Sequence, residues 1–349
     1  MFFASDNTSG VPRQILDAIT QANEGAAPGY GADPIMEAVR DQLRDVFEAP
    51  EAEVFLVATG TAANALALAT LTPPWGAIYC HPLSHIEVDE CGAPEFYTNG
   101  AKLTLVPGAD GKIAPEALAD TLAASGRGIV HSVQPGALSL TNLTECGTRY
   151  SSDEIATLSK IARAHGLPVH LDGARFANAL VAEGCSPAEM SWRAGVDALS
   201  LGGTKNGLMG VEAVILFDPA RAWEFQLRRK RAGHLWSKHR FLSAQMHAWL
   251  ENGLWRALAS HANYMAARLE SAIASETSRV YPRGGNMLFV RLSRAQHERL
   301  QAAGAQYFTS EEPPSGSGAR DASTVARLVC SWNTTAEEID AFATVLSGA

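Results

Sequence analysis

Lys205 stands in the run LSLGGTKNGLMG (199–210), a single cation among glycines with no acidic residue within five positions on either side. A loop that gives a cation no local counter-charge leaves two readings: a solvated lysine, or an amine kept for covalent chemistry. Asp172 comes 33 residues earlier, in HLDGARF, at the end of an apolar run. A carboxylate buried there is costly without a partner, so it either caps the helix that follows or accepts a proton-bearing nitrogen of a ligand. Gly60 and Thr61, in ATGTAAN, open an Ala/Leu-rich helical run. Unpaired peptide N–H groups and the helix dipole favour an anion such as phosphate at that point, although Gly-Thr also serves as an ordinary helix start. An amine for a covalent bond to a carbonyl, an acid for a ring nitrogen and a helix start for a phosphate ester are the parts that pyridoxal 5'-phosphate requires. Arg175, three residues after Asp172, adds a planar fork suited to a carboxylate, or else to a structural pair with an aspartate.

These stations need elements to carry them. Residues 76–81, 102–107 and 196–203 read as strands, 167–176 as a strand that runs into a turn, 52–71 as a strand, a Gly-Thr turn and an Ala/Leu-rich helix, and 128–142 as buried strand material around Gln134-Pro135-Gly136. Apolar periodicity predicts a helix over 34–47, and Ser/Asp start signals with Gly166 at the end predict another over 151–166. Strands alternating with helices predict an α/β domain with a mostly parallel central sheet, whose ligands sit at the carboxyl ends of the strands. The pattern changes past about residue 245: Ala-rich helices over about 242–275, strands at 286–293 and 325–332, and a last helix over 334–348 with a capping box at Thr335 and Glu338. The expected organisation is an N-terminal arm and large domain over 1–245 and a smaller α+β domain over 246–349, with 311–323 as loop.

Composition excludes several classes. A net charge of −9 argues against general nucleic-acid or anionic-membrane binding. Five cysteines, without a CxxC pair, suggest neither a disulfide framework nor a zinc site; no metal is expected, and a reducing cytoplasm fits. The N-terminus MFFASDNTSG lacks the pattern of a secretory signal, and no apolar run reaches the length of a membrane helix. The P-loop and GxGxxG patterns are absent.

The tracts FASDNTSG, YGADP, GTAANALAL, SHIEVDECGAPEF, HLDGARFANA, GGTKNG and RLVCSW together resemble the low-specificity L-threonine aldolases, pyridoxal-phosphate enzymes of the aspartate-aminotransferase-like fold (fold type I). The resemblance spans nearly the whole chain. It implies retro-aldol cleavage of L-threonine, L-allo-threonine and related L-β-hydroxy-α-amino acids to glycine and an aldehyde. A phenylserine-type aldolase or a β-eliminating lyase on the same fold is the alternative. It also implies roles: Lys205 binds the cofactor covalently, Asp172 pairs with its ring nitrogen, and Gly60, Thr61 and Thr204 hold its phosphate. Ser5, Arg175 and Arg327 hold the substrate carboxylate. His85, which alone reads as a packing residue, stacks on the cofactor ring and is a candidate for proton transfer.

One tract departs from the family. Some members carry a histidine that reaches the substrate hydroxyl; here the region reads TNLTECG (141–147), which leaves Asn142, Thr144, Glu145 or a water for that work. The basic run RRKRAGHLWSKHR (228–240) reads as a solvated helix face. The resemblance adds that a neighbouring subunit lends a basic residue to the phosphate, with Lys230 the best match and Lys238 less securely placed. Tyr30 falls where the family builds its subunit interface and pocket. A homo-oligomer, a dimer of dimers with shared active sites, is therefore implied.

Overall fold

The computed structural model describes residues 1–311 and 323–348, so the loop expected over 311–323 falls almost entirely outside the described residues. Seven strands form the larger sheet: β1 (Glu53–Val57), β2 (Gly76–Cys80), β3 (Lys102–Leu105), β4 (Gln134–Thr141), β5 (Val169–Gly173), β6 (Ala198–Gly202) and β7 (Glu212–Leu216). Their order is β1-β7-β6-β5-β4-β2-β3. β3, β2, β4, β5 and β6 run parallel, while β7 is antiparallel to both its neighbours. β1 therefore points the same way as the parallel set. The carboxyl ends of β1, β2, β4, β5 and β6 share one edge of the sheet, and β7 begins there. β2, β5, β6 and β7 are buried along their whole length, which is why they read as apolar runs and not as alternating ones.

The helix Gly60–Leu71 follows β1. Its Ala and Leu residues cover every face, and residues 62–71 are all buried, the expected fate of a helix with no polar side. It packs among the sheet and the helices Ala93–Tyr97 and Ala222–Arg231. Each buried Leu there contributes on the order of 2 kcal/mol of apolar transfer, so the helix start that faces the sheet edge is held rigidly.

The second sheet is antiparallel, β8 (Ser278–Arg279), β9 (Met287–Ser293), β10 (Phe308–Glu311) and β11 (Ser323–Val329), in the order β10-β11-β9-β8. Leu288, Val290 and Leu292 alternate inward and share a core with Ala326, Leu328, Ile339 and Phe342. The capping box of the last helix, Ala336–Ser347, forms through Thr335 and Glu338 as its sequence predicts. Helix Leu254–Ala272 serves both cores: Trp255 and Leu258 pack with the larger, Met265 and Leu269 with the smaller. The N-terminal arm crosses between them. Phe3 is buried in the smaller core, its ring 5.2 Å from that of Phe342, and its backbone bonds Gln306 and Val329. Three residues further on, the chain has reached the edge of the large sheet. Among the described residues no helix is long and apolar enough to cross a membrane.

One expectation fails. The stretch 128–133 is not strand but turns, with Ile129, Val130 and Val133 exposed. Gly126 and Gly128 take left-handed φ values of 66° and 77°, and the Gln134 side chain ties the turn together through Gly128 N, Ile129 O and Ser132 O. The strand instead begins at Gln134-Pro135-Gly136, where β4 pairs with β2 across a register shift at Ala77/Ile78. Pro135, the second residue of β4, is tolerated because β5 joins the other side of the strand only from Leu138 on.

Candidate active site

β6 ends in Gly202-Gly203, and the loop behind it touches the loop after β5. A Cβ on Gly202 would lie 2.4 Å from Ala174 O, so only glycine lets the two loops meet. This contact brings Lys205 beside Asp172 and Arg175. Lys205 sits in the short turn Thr204–Asn206. Burial first, and then the Arg175 guanidinium, hold its ammonium below the usual lysine pKa. Both effects favour the neutral amine, the form that attacks a carbonyl.

Asp172 is buried near the end of β5. Its Oδ1 accepts the Ala174 N–H at 2.9 Å and its Oδ2 accepts the Asn64 amide at 2.9 Å. Its local duty is thus to the turn, since Arg175 occupies the N-cap position of the following helix, Phe176–Glu183. Asn64 Nδ2 also donates to Glu90 Oε1 at 2.9 Å, and that oxygen meets His85 Nδ1 at 2.9 Å. An ordered chain runs Asp172–Asn64–Glu90–His85. The hydrogen bond to Glu90 outweighs burial and raises the His85 pKa, while burial raises that of Glu90.

Gly60 and Thr61 are the first two residues of their helix, and the cap is Thr59, whose side chain accepts from Ala62 N at 3.2 Å. The Gly60 and Thr61 N–H groups therefore have no acceptor within the helix. A Cβ on Gly60 would meet nothing within 4 Å, because Gly60 faces a cavity of about 280 Å³. Thr61, Asn64, His85, Asp172, Thr204 and Lys205 line the same space.

A second cavity of about 710 Å³ adjoins it, lined by Ser5 and Arg327 and by the apolar side chains of Tyr281, Phe289, Phe308 and Val325. Asn7, His85, Glu145, Arg175 and Lys205 border both spaces. Arg327 donates to Ala4 O at 3.1 Å and lies 4.8 Å from the Phe308 ring centroid, with Nε buried and unpartnered. Arg175 holds Asp6 by two bonds of 2.7 and 2.8 Å. Ser5 caps the short turn Asp6–Thr8 through Asn7 N.

Two expected residues lie elsewhere. Tyr30 and Lys230 are both exposed, with the Lys230 ammonium 5.0 Å from the Tyr30 ring centroid, and neither borders the two cavities of this chain. The basic run around Lys230 is not wholly solvated: Arg229 is buried, bonded to Leu56 O at 3.2 Å and laid over Phe55 at 5.3 Å. Sequence reasoning also missed Asp6, Asn64 and Glu90. The available signals were a polar residue inside an all-apolar helix and a glutamate five positions after His85.

The residues present fit pyridoxal phosphate. An amine depressed by burial, a carboxylate anchored by two donors and a helix start with open space before it converge on one cavity.

Residues 3–293 match the model of the beta-eliminating lyase family. The chain is 41% identical to the low specificity L-threonine aldolase of Pseudomonas aeruginosa, covering 97% of this chain and 94% of that one. It is 40% identical to the enzyme of that name from a Pseudomonas sp., over 95% and 93% of the two chains. A solved threonine aldolase from Leishmania major superposes with a TM-score of 0.92 at 29% identity, over 99% and 98% of the two chains.

Proposed function

Since this chain belongs to the beta-eliminating lyase family and stands among its low-specificity L-threonine aldolases, we propose its function and its working parts together. It is a carbon–carbon lyase that cleaves L-threonine, L-allo-threonine and related L-β-hydroxy-α-amino acids to glycine and an aldehyde, with pyridoxal 5'-phosphate as cofactor. The observation that carries the assignment of parts is the single cavity bordered by Gly60, Thr61, Asp172 and Lys205.

When bound, the cofactor supplies an aldehyde for the amino group and a ring that draws electrons from the α-carbon. Lys205 Nζ, its pKa lowered by burial, is the amine that would anchor it. Asp172 would hold a proton on the ring nitrogen, a task suited to a carboxylate already fixed by Ala174 N and Asn64. Gly60 and Thr61 would offer peptide N–H groups to the cofactor's phosphate, with Thr204 lining the same cavity, and His85 would pack on its ring. Arg175 and Arg327 would take the substrate carboxylate with help from Ser5 and so orient the Cα–Cβ bond for cleavage. Holding the Cα–Cβ bond in that direction is worth a large share of the barrier, because orientation is purchased before the reaction. The apolar side of the second cavity, Phe289 and Phe308 among others, receives the aldehyde's substituent and excludes water from it.

The catalytic assembly is a homo-oligomer, a dimer of dimers in the cytoplasm, in which Tyr30 and Lys230 of one subunit complete the pocket of another. Their exposure and their place outside this chain's own cavities support that reading. The test is product analysis of the purified enzyme on L-threonine, L-allo-threonine and phenylserine. Glycine and the matching aldehyde are expected, and a keto acid in place of glycine would mean β-elimination instead.

A further inference from the structure

Cleavage needs a group that takes the proton of the substrate's β-hydroxyl, and the cofactor-holding residues do not supply one. With the cofactor in the first cavity and the aldehyde substituent in the second, as proposed above, the β-carbon would lie at the passage between them. Five side chains border that passage. Arg175 is a permanent cation engaged with Asp6, Asn7 does not titrate, and Lys205 is the anchor. His85, held through Nδ1 to Glu90, is assigned in the proposed reading to the face of the cofactor ring. Glu145 remains. Its Oε1 accepts the His85 peptide N–H at 2.7 Å, and its Oε2 is buried with no hydrogen-bond partner.

Asn142 and Thr144, the two other candidates of the same segment, are committed elsewhere. Asn142 exchanges two bonds with the Tyr150 backbone, donating at 3.1 Å and accepting at 3.2 Å. Thr144 shares a 2.7 Å bond with Thr148. Both are buried and neither borders a cavity.

We propose that Glu145 is the general base of the aldol cleavage, its free carboxylate oxygen accepting the β-hydroxyl proton. The O–H bond breaks toward Glu145, the oxygen's electron pair forms the aldehyde C=O, and the Cα–Cβ bond breaks with its pair left on the α-carbon. That carbon then takes a proton to become glycine, and Glu145 returns its own to solvent. Asp172, Arg175 and Lys205 face Glu145 from the β5 and β6 side, His85 and Cys80 from the β2 side, and Tyr150 from its own segment. Burial, and then Asp172, push its carboxyl up to about 7, which suits proton exchange near neutrality.

The role rests on the aldolase reading, and the test separates the two. Glu145→Gln keeps a carbonyl oxygen for His85 N–H and removes only the basicity. On L-threonine, kcat should fall by on the order of 100-fold or more, and the acid limb of the wild-type pH profile should vanish. Exchange of the glycine α-hydrogen with D2O, which needs no β-hydroxyl, should stay within a few-fold of wild type. Glu145→Asp, which retains a carboxylate, should keep the acid limb. Wild-type turnover in E145Q, equal loss of cleavage and exchange, or an acid limb absent from E145D would each overturn the assignment. A wild-type enzyme that cleaves no β-hydroxy amino acid would sink the aldolase reading itself.

Discussion

Arg175 and Asp6, 169 positions apart, are locked by two parallel bonds of 2.7 and 2.8 Å. Burial pushes the Asp6 carboxyl up, but Arg175 more than offsets it and holds the pKa below the ordinary aspartate value. Asn286 donates to the same carboxylate at 3.1 Å. The N-terminal arm, anchored in the smaller core by Phe3, thus aims the guanidinium that we propose meets the substrate.

Removing the negative charge should therefore disturb substrate binding before chemistry. Asp6→Asn keeps one acceptor but leaves a buried guanidinium without its counter-charge, a loss of about 3 kcal/mol or more. The expected outcome is a KM for L-threonine raised at least about tenfold with a smaller change in kcat. Steady-state kinetics with saturating cofactor check this; an unchanged KM would mean that Arg175 does not bind the substrate.

Gly60 faces open space, so a side chain there fits the fold and would fill the position proposed for the phosphate. Gly60→Val should purify folded, with an unchanged far-ultraviolet spectrum, and bind pyridoxal phosphate at least about tenfold more weakly, roughly 1.4 kcal/mol. Cofactor titration by absorbance measures it. Wild-type affinity would place the phosphate elsewhere.

His170 is buried between Ser139 and Ser200, bonded to each at 3.0 Å, and burial lowers its pKa to about 4. The unfolded chain, with the ordinary value, binds the proton first. Stability is complete above about pH 6.5 and falls as pH drops toward about 4, by about 3 kcal/mol for this residue. His239 is also lowered, by burial and then by Arg229, and adds in the same direction. In urea melts of the cofactor-free protein, His170→Asn should lose less stability than wild type between pH 6.5 and 4. Parallel pH curves would contradict a buried neutral imidazole.

Much of this site is visible in the linear sequence because its chemistry sits at strand ends, and strand ends are marked by local patterns. Asp172 and Lys205 close β5 and β6, which are neighbours; one crossover separates them in sequence, so their spacing reports their proximity. What stayed hidden was set by tertiary contact. Glu90 reads as one more charge in VDECG until Asn64 and His85 close on it. Asp6 has no local cue linking it to Arg175. The apolar letters of 128–133 suggested a strand, but two left-handed glycines and one glutamine side chain made turns of them. The reversed direction of β7 is equally silent, since a buried strand shows the same apolar run either way.

The central claim is that Lys205 bears the cofactor. Borohydride reduction of the cofactor-loaded enzyme, followed by proteolysis and mass spectrometry, tests it directly. The pyridoxyl group should be found on the peptide containing Lys205, and Lys205→Ala should yield no labelled peptide and lose the absorption band of the bound cofactor. A label on any other lysine, or a labelled and active Lys205→Ala enzyme, would contradict the account.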